Sequence, residues 1–295
     1  MTDSNRRVRT IAIVGAGDMG SAVGRRLRDS GARVITTLKD RSAASVERVR
    51  QANLEVIDDD DLLVRECAFI LSIVPPGQAT PVAERFRGPL MRADVKPIFV
   101  ECNAISPATV HLIADSLADT GCGFVDAGII GRPPRPGEKG THFYASGEQA
   151  HQLTTRLRGL GLEIAVVDGG IGAASALKMS YAGLTKGLIA IGAAAIAAAS
   201  RAGVASALRE ELAHSQPRLL AMLSTRIPAM YPKAYRWVSE MEQIAEFLGS
   251  AETGGEIYTG AARLYEQLAE EWEQDRDTAQ SLAVLSSFLH VRRAR

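Results

Sequence analysis

Near its start the chain reads TIAIVGAGDMGSAVGRRL (residues 10–27), and this segment limits the possible folds more than any other. A wholly apolar strand candidate, Thr10–Val14, runs straight into Gly15, Gly17 and Gly20 and then into a helical pattern over residues 19–29. Strand, G-x-G-x-x-G and helix in that order open a parallel βαβ unit. Gly15 permits the tight turn, Gly17 lets the backbone approach a pyrophosphate, and Gly20 allows close helix–strand packing; Ala16, Asp18 and Met19 complete the loop. The helix start then presents unpaired N–H groups and a positive dipole end to phosphates. The spacing by itself is weak, and its place between strand and helix is what gives it mechanism.

The alternation continues. Further strand candidates are residues 33–38 (RVITTL), 54–57 (LEVI), 69–74 (FILSIV), 97–101 (PIFVE), 123–126 (GFVD), 142–145 (HFYA) and 162–167 (LEIAVV). Helical stretches cover residues 42–52 and 148–160, and the acidic run 58–61 reads as a helix start because acids favour that dipole end. Short apolar strands alternating with helices predict an α/β fold, a Rossmann-type doubly wound, mostly parallel sheet. Beyond Asp168 no strand-like run occurs, and helices break near Gly203, Pro217, Pro228, Pro232 and the Gly254-Gly255 pair. The expected organisation is an NAD(P)-binding domain over residues 1–168 and an all-α domain over residues 169–295.

Composition excludes some partners. Lys plus Arg equals Asp plus Glu at 34 each, so charge points to neither nucleic acid nor a membrane surface. The opening MTDSNRRVRT has no apolar core behind its arginines, so no secretion signal is expected. The alanine-rich stretch 188–200 is short and bracketed by Lys186 and Arg201, which suits a buried junction helix better than a bilayer span. Cys67, Cys102 and Cys122 are odd in number and lack metal-ligand spacing, consistent with reduced thiols, a cytoplasmic location and no metal.

Three places carry candidate chemistry. Lys178 stands in a nearly chargeless run: between residues 171 and 200 the only ionisable side chains are Lys178, Tyr181 and Lys186. Such a lysine reaches solvent, pairs with an acid, or sits desolvated and becomes suited to proton transfer. At the end of the second strand, where NAD binders place a ribose acid, stands Leu38. Lys39, Arg41 and Ser42 follow and suit a 2′-phosphate, which favours NADP; Asp40 keeps NAD possible. Val74, Pro75 and Asn103 lie past the fourth and fifth strands, where ligands of open parallel sheets sit, although Asn103 also reads as a turn or helix start. His142 and Tyr144 read as structural, and Tyr231, Tyr235 and Trp237 as core aromatics.

With Gly15-Ala16-Gly17-Asp18-Met19-Gly20, Asp126-Ala127-Gly128-Ile129-Ile130-Gly131-Arg132, and Gly172 before Lys178, the chain resembles the β-hydroxyacid dehydrogenase superfamily. That superfamily includes 3-hydroxyisobutyrate dehydrogenases and, more distantly, 6-phosphogluconate dehydrogenase. The segment 233–245 resembles a branch with a C-terminal domain of unknown function, and residues 126–147 also resemble imine reductases. The resemblance implies a long interdomain helix, a substrate and dimerisation role for the all-α domain, and a homodimer acting on a small molecule. It also implies Lys178 as catalytic acid and base and Ile130, Gly131, Arg132 and Ala182 at substrate positions. Two departures stand out. A serine that contacts substrate in the family is Ile130 here, and an asparagine four residues after the lysine is Ala182. Substrate anchoring must then differ, with Arg132, Asn103 or residues of the second domain as replacements. An imine reductase and a non-catalytic NADPH sensor are the alternative readings.

Overall fold

The computed structural model describes residues 7, 9–39, 41–249, 253–274 and 288. The chain forms two compact units, Met1–Met179 and Ser180–Arg295, so the division falls inside a long helix rather than in the glycine-rich segment ahead of it.

The first unit is built on one eight-stranded sheet. Its strands are β1 (Thr10–Val14), β2 (Arg33–Thr36), β3 (Glu55–Val56), β4 (Phe69–Ser72), β5 (Ile98–Glu101), β6 (Gly123–Gly131), β7 (Thr141–Ser146) and β8 (Glu163–Val166). They lie in the order β3-β2-β1-β4-β5-β6-β7-β8, which doubles back around β1 as a doubly wound sheet does. Every pairing is parallel except β6 with β7. That exception explains why β6 outruns the expected four residues. An antiparallel partner lets the ladder continue from Asp126↔Ser146 to Gly131↔Thr141. Gly131, at φ +121°, then turns the chain where any Cβ would strike the Gly140 carbonyl.

Helices α1 (Asp18–Asp29), α2 (Ala43–Ala52), α3 (Asp60–Glu66), α4 (Ala79–Arg92), α5 (Pro107–Leu117) and α6 (Ala150–Arg158) follow their strands. Several starts carry side-chain caps: Ser42 accepts from Ser45 N, Asp59, in the acidic run expected to start a helix, from Leu62 N, and Ser106, rather than Asn103, from Thr109 N. Alternate residues of the strands feed two cores. One holds Ile11, Ile13, Val34, Leu71, Val125, Ala127 and Phe143; the other holds Ala12, Val14, Ile35, Ile70 and Phe99. Strands apolar on both faces are what a sheet covered on both sides requires.

The long helix α7 (Ala173–Arg201) begins in the first unit and continues into the second. By length and composition it could cross a membrane, yet 44% of its most apolar stretch is buried within the protein. The second unit adds α8 (Ala205–Ser215), α9 (Pro217–Met230), α10 (Ala234–Phe247) and α11 (Thr253–Gln274). Gly203 and Pro217 fall at helix boundaries and Pro232 in a short 3-10 turn, as expected. Pro228 and the Gly254-Gly255 pair instead lie inside helices. At Gly255 the reason is packing, because a Cβ would come within 2.3 Å of the Gly249 carbonyl oxygen. Inside this unit Lys186 pairs with Glu240 and lies 5.1 Å from the Trp237 ring centroid. Trp237 meets Tyr265 edge-on, and Tyr265 donates to the Lys186 carbonyl at 2.6 Å. Tyr231 and Trp237 are therefore packing aromatics, whereas Tyr235 is exposed.

Candidate functional site

The glycine loop leaves β1 at the carboxyl edge of the sheet, and each glycine there answers a different demand. Gly15 has φ +101°, and a Cβ on it would sit 2.2 Å from the Ile73 carbonyl oxygen and 2.6 Å from Val74 Cγ1. A Cβ on Gly20 would sit 2.0 Å from the Gly15 carbonyl oxygen, so this glycine serves strand–helix packing. A Cβ on Gly17 would meet nothing within 4 Å. That position faces open space in front of the α1 N-terminus, where no side chain caps the helix. A helix start without a side-chain cap, behind an open cradle, fits a dinucleotide pyrophosphate. Ala16 is buried in the loop and Met19 packs against the core, while Asp18 pairs with Arg48 of α2 at 2.8 Å.

Past β2 the chain turns at Leu38, whose carbonyl accepts from Arg41 N at 3.1 Å. Lys39 is exposed, and Arg41 Nε is buried with no hydrogen-bond partner among the described residues. Ser42 spends its hydroxyl as the α2 cap. Asp40 lies outside the described residues. Sequence reading missed Asp58, whose carboxylate accepts from Leu38 N at 2.9 Å. It comes from a different strand end, which no local spacing reveals.

At the ends of β4 and β5 a buried polar row replaces the apolar pattern. Register places Ser72, Glu101, Asp126 and Ser146 side by side on four adjacent strands, each no more than 1% exposed. Asn103, 3% exposed, ties the two strand ends together. Its Oδ1 accepts from Val74 N at 2.6 Å, its Nδ2 donates to Ser72 Oγ at 2.9 Å, and its own N–H donates to Glu101 Oε1 at 2.8 Å. Asn103 thus shapes the Val74–Pro75 turn from beneath, while Pro75 itself is exposed. Burial, reinforced by the neighbouring Asp126 charge, pushes the Glu101 carboxyl up to about 8. Its Oε2 is buried with no partner among the described residues. Burial also raises Asp126, against the pull of hydrogen bonds from Ser175, Ser146 and Gly172.

Lys178 belongs to the first turns of α7 and is half-buried. A Cβ on Gly128 of β6 would approach Lys178 Cβ at 3.1 Å and the Ala174 carbonyl oxygen at 3.0 Å, so the helix rests on the strand at this glycine. The lysine's charge is felt at Cys102, the residue following β5, whose thiol burial nonetheless drives well upward. Gly15, Val74, Asn103 and Lys178 therefore all gather at the carboxyl edge of the sheet, where ligands of open α/β sheets bind. Ile130 shares the β6 face of Asp126 and Gly128, since alternate strand residues point the same way. Gly131 and Arg132 follow it and are exposed. Ala182, one turn beyond Lys178 on α7, belongs to the second unit and is buried. His142 pairs with Glu163 at 3.2 Å, a role in the sheet as expected.

This edge has the form of a dinucleotide site on a Rossmann-type sheet. The comparisons agree. Residues 10–159 match the NAD-binding domain of 6-phosphogluconate dehydrogenase, and residues 199–268 match a domain of unknown function, DUF1932. The chain belongs to the family of that NAD-binding domain. It is 28% identical over 239 residues, 81% of its length and 90% of the relative's, to an uncharacterized 28.5 kDa protein of Methanothermus fervidus. Among solved structures, it is similar to the conserved protein MTH1747, of unknown function and itself likened to 3-hydroxyacid dehydrogenases. That match has 29% identity and a TM-score of 0.68, covering 88% of this chain and 97% of the other. The fold also matches a 3-hydroxyisobutyrate dehydrogenase from Mycobacterium tuberculosis (17%, TM-score 0.64, coverage 97% and 100%). An imine reductase from Myxococcus stipitatus matches more loosely (18%, TM-score 0.55, coverage 96% and 99%). The chain is thus a member of that NAD-binding family on a Rossmann-type fold.

Proposed function

We propose that the protein transfers hydride between an NADP nicotinamide and the carbonyl or alcohol carbon of a small molecule, with Lys178 as general acid and base. The nicotinamide supplies or accepts the hydride when bound. Lys178 protonates the forming alkoxide in the reducing direction, and its cationic form stabilises the charge as it develops. The glycine loop at Gly15, Gly17 and Gly20 holds the pyrophosphate. Lys39 and Arg41 receive the 2′-phosphate, a role supported by the buried Arg41 Nε that no described group satisfies. Val74 and Pro75, positioned by Asn103, line the nicotinamide side. Ile130 presents an apolar surface on the β6 face beneath Lys178, and the exposed Arg132 offers a charged anchor for an acidic substrate tail.

The observation that carries this reading is the support of Lys178 on Gly128, at the same edge as a glycine loop open for phosphate. The test is Lys178→Ala, assayed with NADPH against glyoxylate, pyruvate, acetoacetate and the cyclic imine 1-pyrroline. NADPH affinity is expected to persist while turnover falls by about 100- to 10,000-fold. Near-normal kcat in that variant removes the assignment. Turnover of the imine alone makes the protein an imine reductase, and tight NADPH binding without turnover on any probe makes it a sensor.

A further inference from the structure

We propose that Asp126 is the positioning residue of Lys178, acting as an N-cap lent to α7 by strand β6; this rests on the reading of Lys178 as the proton donor. Helix α7 starts without a cap of its own. The residues leading into it are Gly169, Gly170, Ile171 and Gly172, and none carries a side chain that can accept from the first helical amides. Two of those amides, at Ala174 and Ser175, are satisfied from the sheet instead. Asp126 Oδ2 accepts from Ser175 N at 2.9 Å, across 49 residues of sequence, and Asp126 Oδ1 accepts from Ser175 Oγ at 2.6 Å. Ser146, its register partner on β7, donates to Asp126 Oδ2 at 3.1 Å and accepts from Ala174 N at 3.0 Å.

This grip reaches Lys178 through the helix itself. Residues three and four apart share a helix face, so Ser175 and Ala174 sit directly above the turn that carries Lys178. Two residues along the same strand face, Gly128 receives the Ala174 carbonyl and Lys178 Cβ. One point of β6 binds the helix end and the next lets the helix approach. Together they fix both the axial position and the rotation of α7, and hence where the lysine stem leaves the helix. An anionic cap also suits this place electrostatically, because the positive end of a helix dipole favours a carboxylate. A serine or threonine cap at position 172 would hold the helix end but not its register against β6.

The test uses the full chain with Asp126→Asn, Asp126→Ala and Lys178→Ala variants and the double variant D126N/K178A. Lysines are reductively ¹³C-methylated in the cofactor-free protein, and the Lys178 signal is assigned from Lys178→Arg. Asp126→Asn is expected to shift or broaden the Lys178 signal while leaving that of Lys186 in place, with NADPH affinity within about twofold of wild type. Turnover of whichever oxo acid proves active should show kcat reduced about 10- to 100-fold at unchanged KM, as for a misplaced catalytic group. Asp126→Ala should fall further, and D126N should add nothing in the K178A background. An unmoved Lys178 signal in a folded, NADPH-binding Asp126→Asn protein overturns the proposal. So does an equal kcat loss with and without Lys178. If K178A keeps full turnover, the catalytic reading fails separately while the Lys178 signal still decides the positioning. Should Asp126→Asn fail to fold, Ser175→Ala removes one donor to the same carboxylate and is read in the same way.

Discussion

Glu101 and Asp126 occupy matching positions on neighbouring strands, and burial raises both. The helix end and two serines give Asp126 donors, whereas Glu101 has one oxygen without any among the described residues. Burial thus holds the proton of Glu101 well above its ordinary carboxyl range. Between its ordinary value of 4.5 and its folded value of about 8, the native state holds a proton that the unfolded chain has released. The stability this provides is whole below the lower value and is lost as pH rises through the upper one. Unfolding midpoints in urea should accordingly fall between pH 5.5 and 8.5, with a slope of at most about 1.4 kcal/mol per pH unit. Glu101→Gln should flatten that slope; equal slopes in both proteins would show that Glu101 is not the group responsible. Lys178 stood out in the sequence because it is one of only two charged residues between 171 and 200, a property of consecutive residues. The Glu101–Asp126 pair did not, because it exists only through strand register, and so a pair of acids 25 positions apart looked unremarkable.

At the scale of elements, the glycines separate packing from binding. Gly128→Ala forces α7 away from β6, since its Cβ would lie 3.0 Å from the Ala174 carbonyl oxygen. That substitution should cost about 1–3 kcal/mol, measured by denaturant unfolding. Gly17→Ala points into open space with ordinary backbone angles, φ −72° and ψ −170°. It should leave stability within about 0.5 kcal/mol of wild type while weakening NADPH binding more than about tenfold. If Gly17→Ala binds NADPH normally, the pyrophosphate does not lie over that glycine. The two outcomes together test the loop as a cradle rather than as a turn. Strand and helix order was readable because apolar runs and glycine punctuation are local. The length of β6 was not, because its extra residues pair with β7, and Gly254-Gly255 read as a break although one of them serves a close approach to Gly249.

The whole molecule raises one question that neither unit answers alone, namely why α7 keeps an apolar stripe in solvent. Leu177, Tyr181, Leu184, Leu188 and Ile191 are each at least 37% exposed, and they recur at intervals of four and three residues. That interval is the seam of one helix packed along another, because it keeps a single stripe facing the partner over several turns. Exposed alanines continue the stripe at residues 194, 195 and 198, small enough for a second backbone to approach closely. A second copy of this chain carries the same stripe, so a two-fold arrangement meets the requirement with no further component. The expected species in solution is therefore a homodimer joined along α7. Light scattering and sedimentation should report a mass of two chains for the wild type. The double substitution Leu184→Glu and Leu188→Glu should give monomers, since buried unpaired carboxylates facing one another across the seam are strongly disfavoured. NADPH affinity should survive in those monomers, because the glycine loop and the Lys39–Ser42 turn belong wholly to the first unit. A wild-type protein that sediments as one chain at all concentrations leaves the stripe without this partner.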